Sequence, residues 1–108
     1  MNTHSIRSHD ALMRAFAVAE MVTASLDEPP TSVSVRQCLG ITSEVDVYFH
    51  QMPEHVLAAA EKYGVEPVLT PNYADDPNLV CTEAHVQCDG VAVRFWALVN
   101  VAVVEVAA

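Results

Sequence analysis

The chain has 108 residues, 52% apolar and 18% charged, with a formal net charge of −9. This length suits one domain that buries its own core, and the composition is globular, not disordered. Its five basic residues (Arg7, Arg14, Arg36, Lys62 and Arg94) are scattered, which argues against phosphate neutralisation: no direct nucleic-acid binding and no attachment to a membrane are expected.

The three cysteines, Cys38, Cys81 and Cys88, are an odd number without CxxC spacing. That predicts free thiols in a reducing compartment, with Cys38 and Cys88 as core thiols. The first residues are polar, with His4, Arg7, His9 and Asp10, and do not read as a signal peptide. Residues 91–108 are strongly apolar, but Arg94, Asn100 and Glu105 interrupt them and β-branched residues dominate. They read as strand, not as a membrane span, and the chain as cytoplasmic.

In chain order, residues 1–7 read as a flexible tail and residues 8–108 as a single domain. Leu12, Phe16, Ala19, Thr23 and Leu26 recur at the spacing of one helical face, with Ser8 placed to cap the helix and Asp10 to suit its dipole. Asp27-Glu28-Pro29-Pro30 ends it, because Pro29 disfavours helical backbone in the residue before it. Val33 and Val35 then alternate with Ser32 and Ser34 in a strand reaching Arg36. A turn falls in 39–43, and Val45, Val47 and Phe49 alternate in a second strand. These two strands are expected to form a hairpin.

Pro53 opens a second helix at a position where its missing N–H costs nothing. Val56, Ala59, Ala60 and Tyr63 form its buried face, and Gly64 ends it. Residues 65–69 are short and extended and contain Pro67, which suits a sheet edge. Residues 70–77 are loop by composition.

The last hairpin turns at Asp89-Gly90, a dipeptide suited to a two-residue type I′ turn because both positions need positive φ. That turn sets the register. Cys88 faces Val91, Val86 faces Val93, Ala84 faces Phe95 and Val80 faces Val99 on an apolar side. Gln87 faces Ala92, His85 faces Arg94, Glu83 faces Trp96 and Cys81 faces Leu98 on the other. The expected fold is therefore α+β, in the order helix, hairpin, helix, hairpin. Its sheet is four-stranded and mostly antiparallel, with both helices packed on one face.

Three stretches carry a resemblance: Pro29-Pro30-Thr31-Ser32-Val33-Ser34-Val35 after an amphipathic helix, Val45-Asp46-Val47 before an alanine-rich helix, and Gly90 to Trp96 at the end. Over most of residues 11–100 this arrangement resembles small uncharacterised α+β proteins of actinobacteria and of the phages that infect them. The resemblance implies a fold type and a phage or host-accessory setting. It transfers no functional residue.

Residue chemistry offers few sites. His50, Glu54 and His55 combine ligand types suited to a metal, at a spacing that seldom converges, so no cofactor is expected. Cys81 and His85 share a strand face, but residues four apart on a strand are about 13 Å apart, too far for a nucleophile pair. Asp75-Asp76 lacks the spacing of a calcium loop. No nucleotide-binding glycine loop, zinc motif or nucleophile elbow occurs, so nothing points to an enzyme.

A tryptophan beside arginine on the side of a sheet away from the core is interface composition. The residues expected at such an interface are Cys81, Glu83, His85, Arg94, Trp96 and Leu98, with Val101 and Val103 on an apolar strand edge open to strand addition. The expected function is a small non-enzymatic protein-interaction module that forms a homodimer or binds a protein partner. A second reading takes the fourteen acids as a nucleic-acid mimic that inhibits a DNA- or RNA-binding protein. A third is a metal or enzymatic site at His50, Glu54 and His55. The plainer reading of the acids is solubility, since they are dispersed.

Overall fold

Asp89 and Gly90 take φ of 50° and 77°, so the two-residue turn forms with both residues left-handed. Strand β4 (Leu79–Cys88) and strand β5 (Val91–Asn100) pair from that turn over ten positions. Every pairing expected from the turn is present, from Cys88 with Val91 to Val80 with Val99.

The structure is a computed structural model that describes residues 3–37 and 43–101. Its other elements are helix α1 (Thr3–Ser25), strands β1 (Ser32–Gln37) and β2 (Ser43–Tyr48), helix α2 (Pro53–Tyr63) and strand β3 (Val68–Pro71). The turn expected in 39–43 and the thiol of Cys38 lie outside the described residues, save Ser43. Strands β1 and β2 pair antiparallel, as expected of the first hairpin.

The protein is α+β, but its sheet differs from the expected one. It has five strands in the order β1-β2-β5-β4-β3, and β2 pairs β5 in parallel. The sheet has a fifth strand because the short segment after Pro67 joins it: β3 pairs β4 along an edge, with Leu69 opposite Thr82. The parallel contact follows from α2, since a helical crossover is the usual way to bring a later strand alongside an earlier one in the same direction.

Helix α1 also differs. It starts at Thr3, so Ser8 lies within the helix and is not its N-cap. Among its described side chains Ala15, Val18, Ala19 and Val22 are buried, and Phe16 remains 52% exposed. The small side chains, not the larger ones, face the sheet, because they let the helix axis approach closely. Helix α2 follows its expectation. Pro53 stands at its start, Val56, Ala59 and Ala60 are buried, and Gly64 closes it with φ 69°. The Gly64 N–H donates to Glu61 O.

One core joins these pieces. Val45, Val47, Val93 and Phe95 are fully buried and cluster with the buried residues of both helices, which places both helices on one face. Phe95 stacks on the Tyr63 ring with centroids 5.6 Å apart. The Tyr63 hydroxyl hydrogen bonds Ser25 Oγ at 2.8 Å, and Lys62 donates to the Ser25 carbonyl at the end of α1. The ends of α1 and α2 are thus tied together over Phe95. Phe95→Ala should cost about 3–5 kcal/mol, the range for emptying a packed aromatic site, measured by urea unfolding of the purified protein.

Candidate functional site

On the face of the sheet away from the helices, alternation in three strands brings polar and aromatic side chains together. Strand β2 supplies Glu44, Asp46 and Tyr48, β5 supplies Arg94, Trp96 and Leu98, and β4 supplies Cys81, Glu83 and His85. The parallel pairing sets Asp46 beside Arg94 and Tyr48 beside Trp96. The antiparallel pairing sets His85 beside Arg94, Glu83 beside Trp96 and Cys81 beside Leu98.

Arg94 is the hub. Its guanidinium lies 4.4 Å from the Trp96 ring centroid, a cation–π distance. Its Nε donates to Glu83 Oε1 at 3.3 Å, and its Nη1 stands 3.7 Å from Asp46 Oδ2. The Trp96 indole N–H donates to Asp46 Oδ1, and the Tyr48 ring lies against Trp96 with centroids 4.6 Å apart. Beyond it, the Tyr48 hydroxyl pairs with His50 Nδ1 at 3.0 Å. Trp96 is thus fixed by an arginine over its ring, a carboxylate on its nitrogen and a tyrosine alongside.

A backbone device adds a further group. Asn72, Ala74 and Asp75 all take left-handed φ, between 55° and 60°. This tight turn carries Tyr73, whose side chain hydrogen bonds Arg94. Burial alone would lower the Arg94 pKa, but the bond to Tyr73 and the carboxylates of Glu83 and Asp46 raise it above its ordinary value. Arg94 is therefore a permanent cation.

Glu83 shows the opposite balance. Burial raises its pKa, but hydrogen bonds from His85 and Arg94 and the arginine's charge more than offset this, leaving it below the ordinary carboxylate value. His85 Nε2 pairs with Glu83 Oε1. Cys81 Sγ donates to Glu83 Oε2 at 3.6 Å and receives the Arg94 Nη2 contact at 3.9 Å. Burial and the neighbouring Glu83 carboxylate raise the Cys81 pKa, so the thiol stays protonated and is a poor nucleophile.

Of the residues expected at an interface, Glu83, His85, Arg94, Trp96 and Leu98 share this face of the sheet. Cys81 is there too but fully buried, so it supports the surface without presenting to a partner. The apolar strand edge expected at Val101 and Val103 lies, save for Val101, outside the described residues. Strand β5 ends at Asn100 and lies between β2 and β4, and among the described residues the edges of the sheet are β1 and β3. Val101 follows the strand with its N–H still donating across to Asn78 O at 2.7 Å, and Val103 lies outside the described residues.

His50, Glu54 and His55 do not converge. His50 turns to Tyr48, and the His55 ring meets the Phe49 ring edge-on at 5.6 Å. Among the described residues no three His, Cys, Asp or Glu side chains are grouped to hold a metal. Asp76 uses its carboxylate within the turn, accepting the Asn78 N–H at 2.8 Å. Among the described residues no helix is long and apolar enough to cross a membrane.

Sequence reasoning missed Asp46, Tyr48 and Tyr73. The Val-Asp-Val-Tyr alternation places the first two on one side of a strand, but their meeting with Trp96 needs the parallel pairing. Tyr73 arrives through a left-handed turn for which the sequence offers no glycine at the positions concerned. Compared with protein-family models, with curated proteins and with solved structures, the chain matches none.

The lowered Glu83 pKa gives a pH prediction. A carboxylate held below its unfolded value of about 4 stabilises the fold above that pH, and this stabilisation is lost as pH falls through the folded value. Glu83→Gln should lower the melting temperature at pH 7 and have a smaller effect at pH 3, as followed by circular dichroism. An equal loss at both pH values would contradict the ionic role of Glu83.

Proposed function

We propose that the protein is a small non-enzymatic interaction module whose open sheet face, centred on Trp96, binds a protein partner. The observation that supports this is the fixed, partly exposed indole, held between Arg94, Asp46 and Tyr48. Interfaces draw most of their energy from a few Trp, Tyr and Arg side chains pre-set in one geometry. Here an aromatic anchor loses little conformational freedom on binding, because the chain has already fixed it. The neighbouring His85, with its side chain 63% exposed, and the Glu44 carboxylate supply a polar rim. The setting we propose, in keeping with the resemblance to actinobacterial and actinophage proteins, is an accessory role in a phage or its host.

A photo-crosslinking amino acid at position 85 should join one defined protein in a host extract. The same group at position 54, on α2, should not. In the Trp96→Ala background the crosslink should vanish, and affinity for the purified partner should fall by more than tenfold, about 2 kcal/mol. Equal crosslinking from both positions, or affinity unchanged in Trp96→Ala, would overturn the reading.

A further inference from the structure

The two edges of the sheet are built differently. Strand β3 has four residues, ends in Pro71 and follows Pro67. Proline at an edge blocks pairing with another chain. Strand β1 has six residues, Ser32 to Gln37, and no proline within it. Nearly every position in it is exposed, and among the described residues no strand lies on its outer side. Such an edge is a template for strand addition.

Charge singles out the same edge. The chain carries fourteen acids, yet none falls between Pro29 and Ser43. The one charge on β1 is Arg36, which pairs with Glu44 on β2. In a molecule of net charge −9, this is where a second copy meets least repulsion. It is also where a basic partner finds no acid on the strand itself.

Helix α1 points the same way. Its Ser25 contacts Tyr63 of α2. Phe16 is nine residues earlier, two and a half turns, and so lies on the opposite side of α1, away from α2. Helix α1 packs over β1 and β2, so that side borders the β1 edge. Phe16 is 52% exposed there, and Val33, on the helix-facing side of β1, is 37% exposed. Phe16 thus leans past the edge of its own sheet.

We infer that β1 is a dimerisation edge that pairs antiparallel with the β1 of a second copy, with Phe16 of each α1 packing across the two-fold axis. The strand is self-complementary. With Ser34 on the axis, Val33 of one copy stands opposite Val35 of the other, and all four valines lie on the helix-facing side. The two sheets become one of ten strands, and the two α1 helices lie side by side above the join. A six-residue strand pair alone buries less than a stable interface needs, so the helix contact is a required part of it. This surface is separate from the Trp96 face and stands whether or not that face binds a partner.

The test is the solution mass by light scattering after size exclusion, at 100 mM and 500 mM salt. The wild-type protein should have the mass of two chains at both. Phe16→Glu and Val33→Glu should each raise the dimer dissociation constant at least tenfold, while Trp96→Ala leaves the mass unchanged. Both altered positions are exposed, so the far-ultraviolet circular dichroism of the variants should match wild type. Amide exchange in β1 should slow with protein concentration in wild type and not in Phe16→Glu. A wild-type mass of one chain at 100 µM, or a dimer untouched by both glutamates, would overturn the inference.

Discussion

A slip of one residue between β4 and β5 would turn one strand over against the other. With β4 in place, Phe95 and Val93 would turn outward and Arg94 and Trp96 would enter the core. The Asp89-Gly90 turn prevents this, because two left-handed residues in a two-residue loop admit one register. Everything else depends on that choice. It selects which side meets the helices, it delivers Phe95 to Tyr63, and it assembles the Arg94 cluster on the reverse side.

The two sides of β5 then solve different problems with neighbouring residues. Phe95 needs dry, close packing and receives alanines and valines. Arg94 and Trp96 need partners for their polar atoms and receive two carboxylates and the Tyr73 side chain. A half-buried guanidinium without such partners would be costly. Here Glu83, Asp46 and Tyr73 meet it from three elements. The cluster is therefore both a specificity device for strand pairing and a rigid surface.

How much of this was legible depended on range. The turn dipeptide, the proline and glycine that bound α2, and the alternation of each strand are local signals, and they gave the hairpin register and the α2 face correctly. The parallel meeting of β2 and β5 is set by where α2 delivers the chain, and no local pattern encodes it. Tyr48 and Asp46 stayed invisible as partners of Trp96 for that reason. In α1 the larger apolar residues drew attention away from Ala15, Val18, Ala19 and Val22. The sheet selects the helix face that lets the backbones come close, and bulk at Phe16 works against that. The apolar character of β5 comes from being flanked on both sides, by β2 and β4.

The length of α1 has a consequence for how the molecule moves in water. Its 23 residues span about 34 Å at the rise of an α-helix. The six-residue strands beneath it span about 20 Å. The buried residues described in it run from Ala15 to Val22. The molecule accordingly measures 57 × 30 × 21 Å, an elongated body. Such a particle has more friction than a sphere of equal mass, so it tumbles slowly and travels through a porous matrix as though it were heavier.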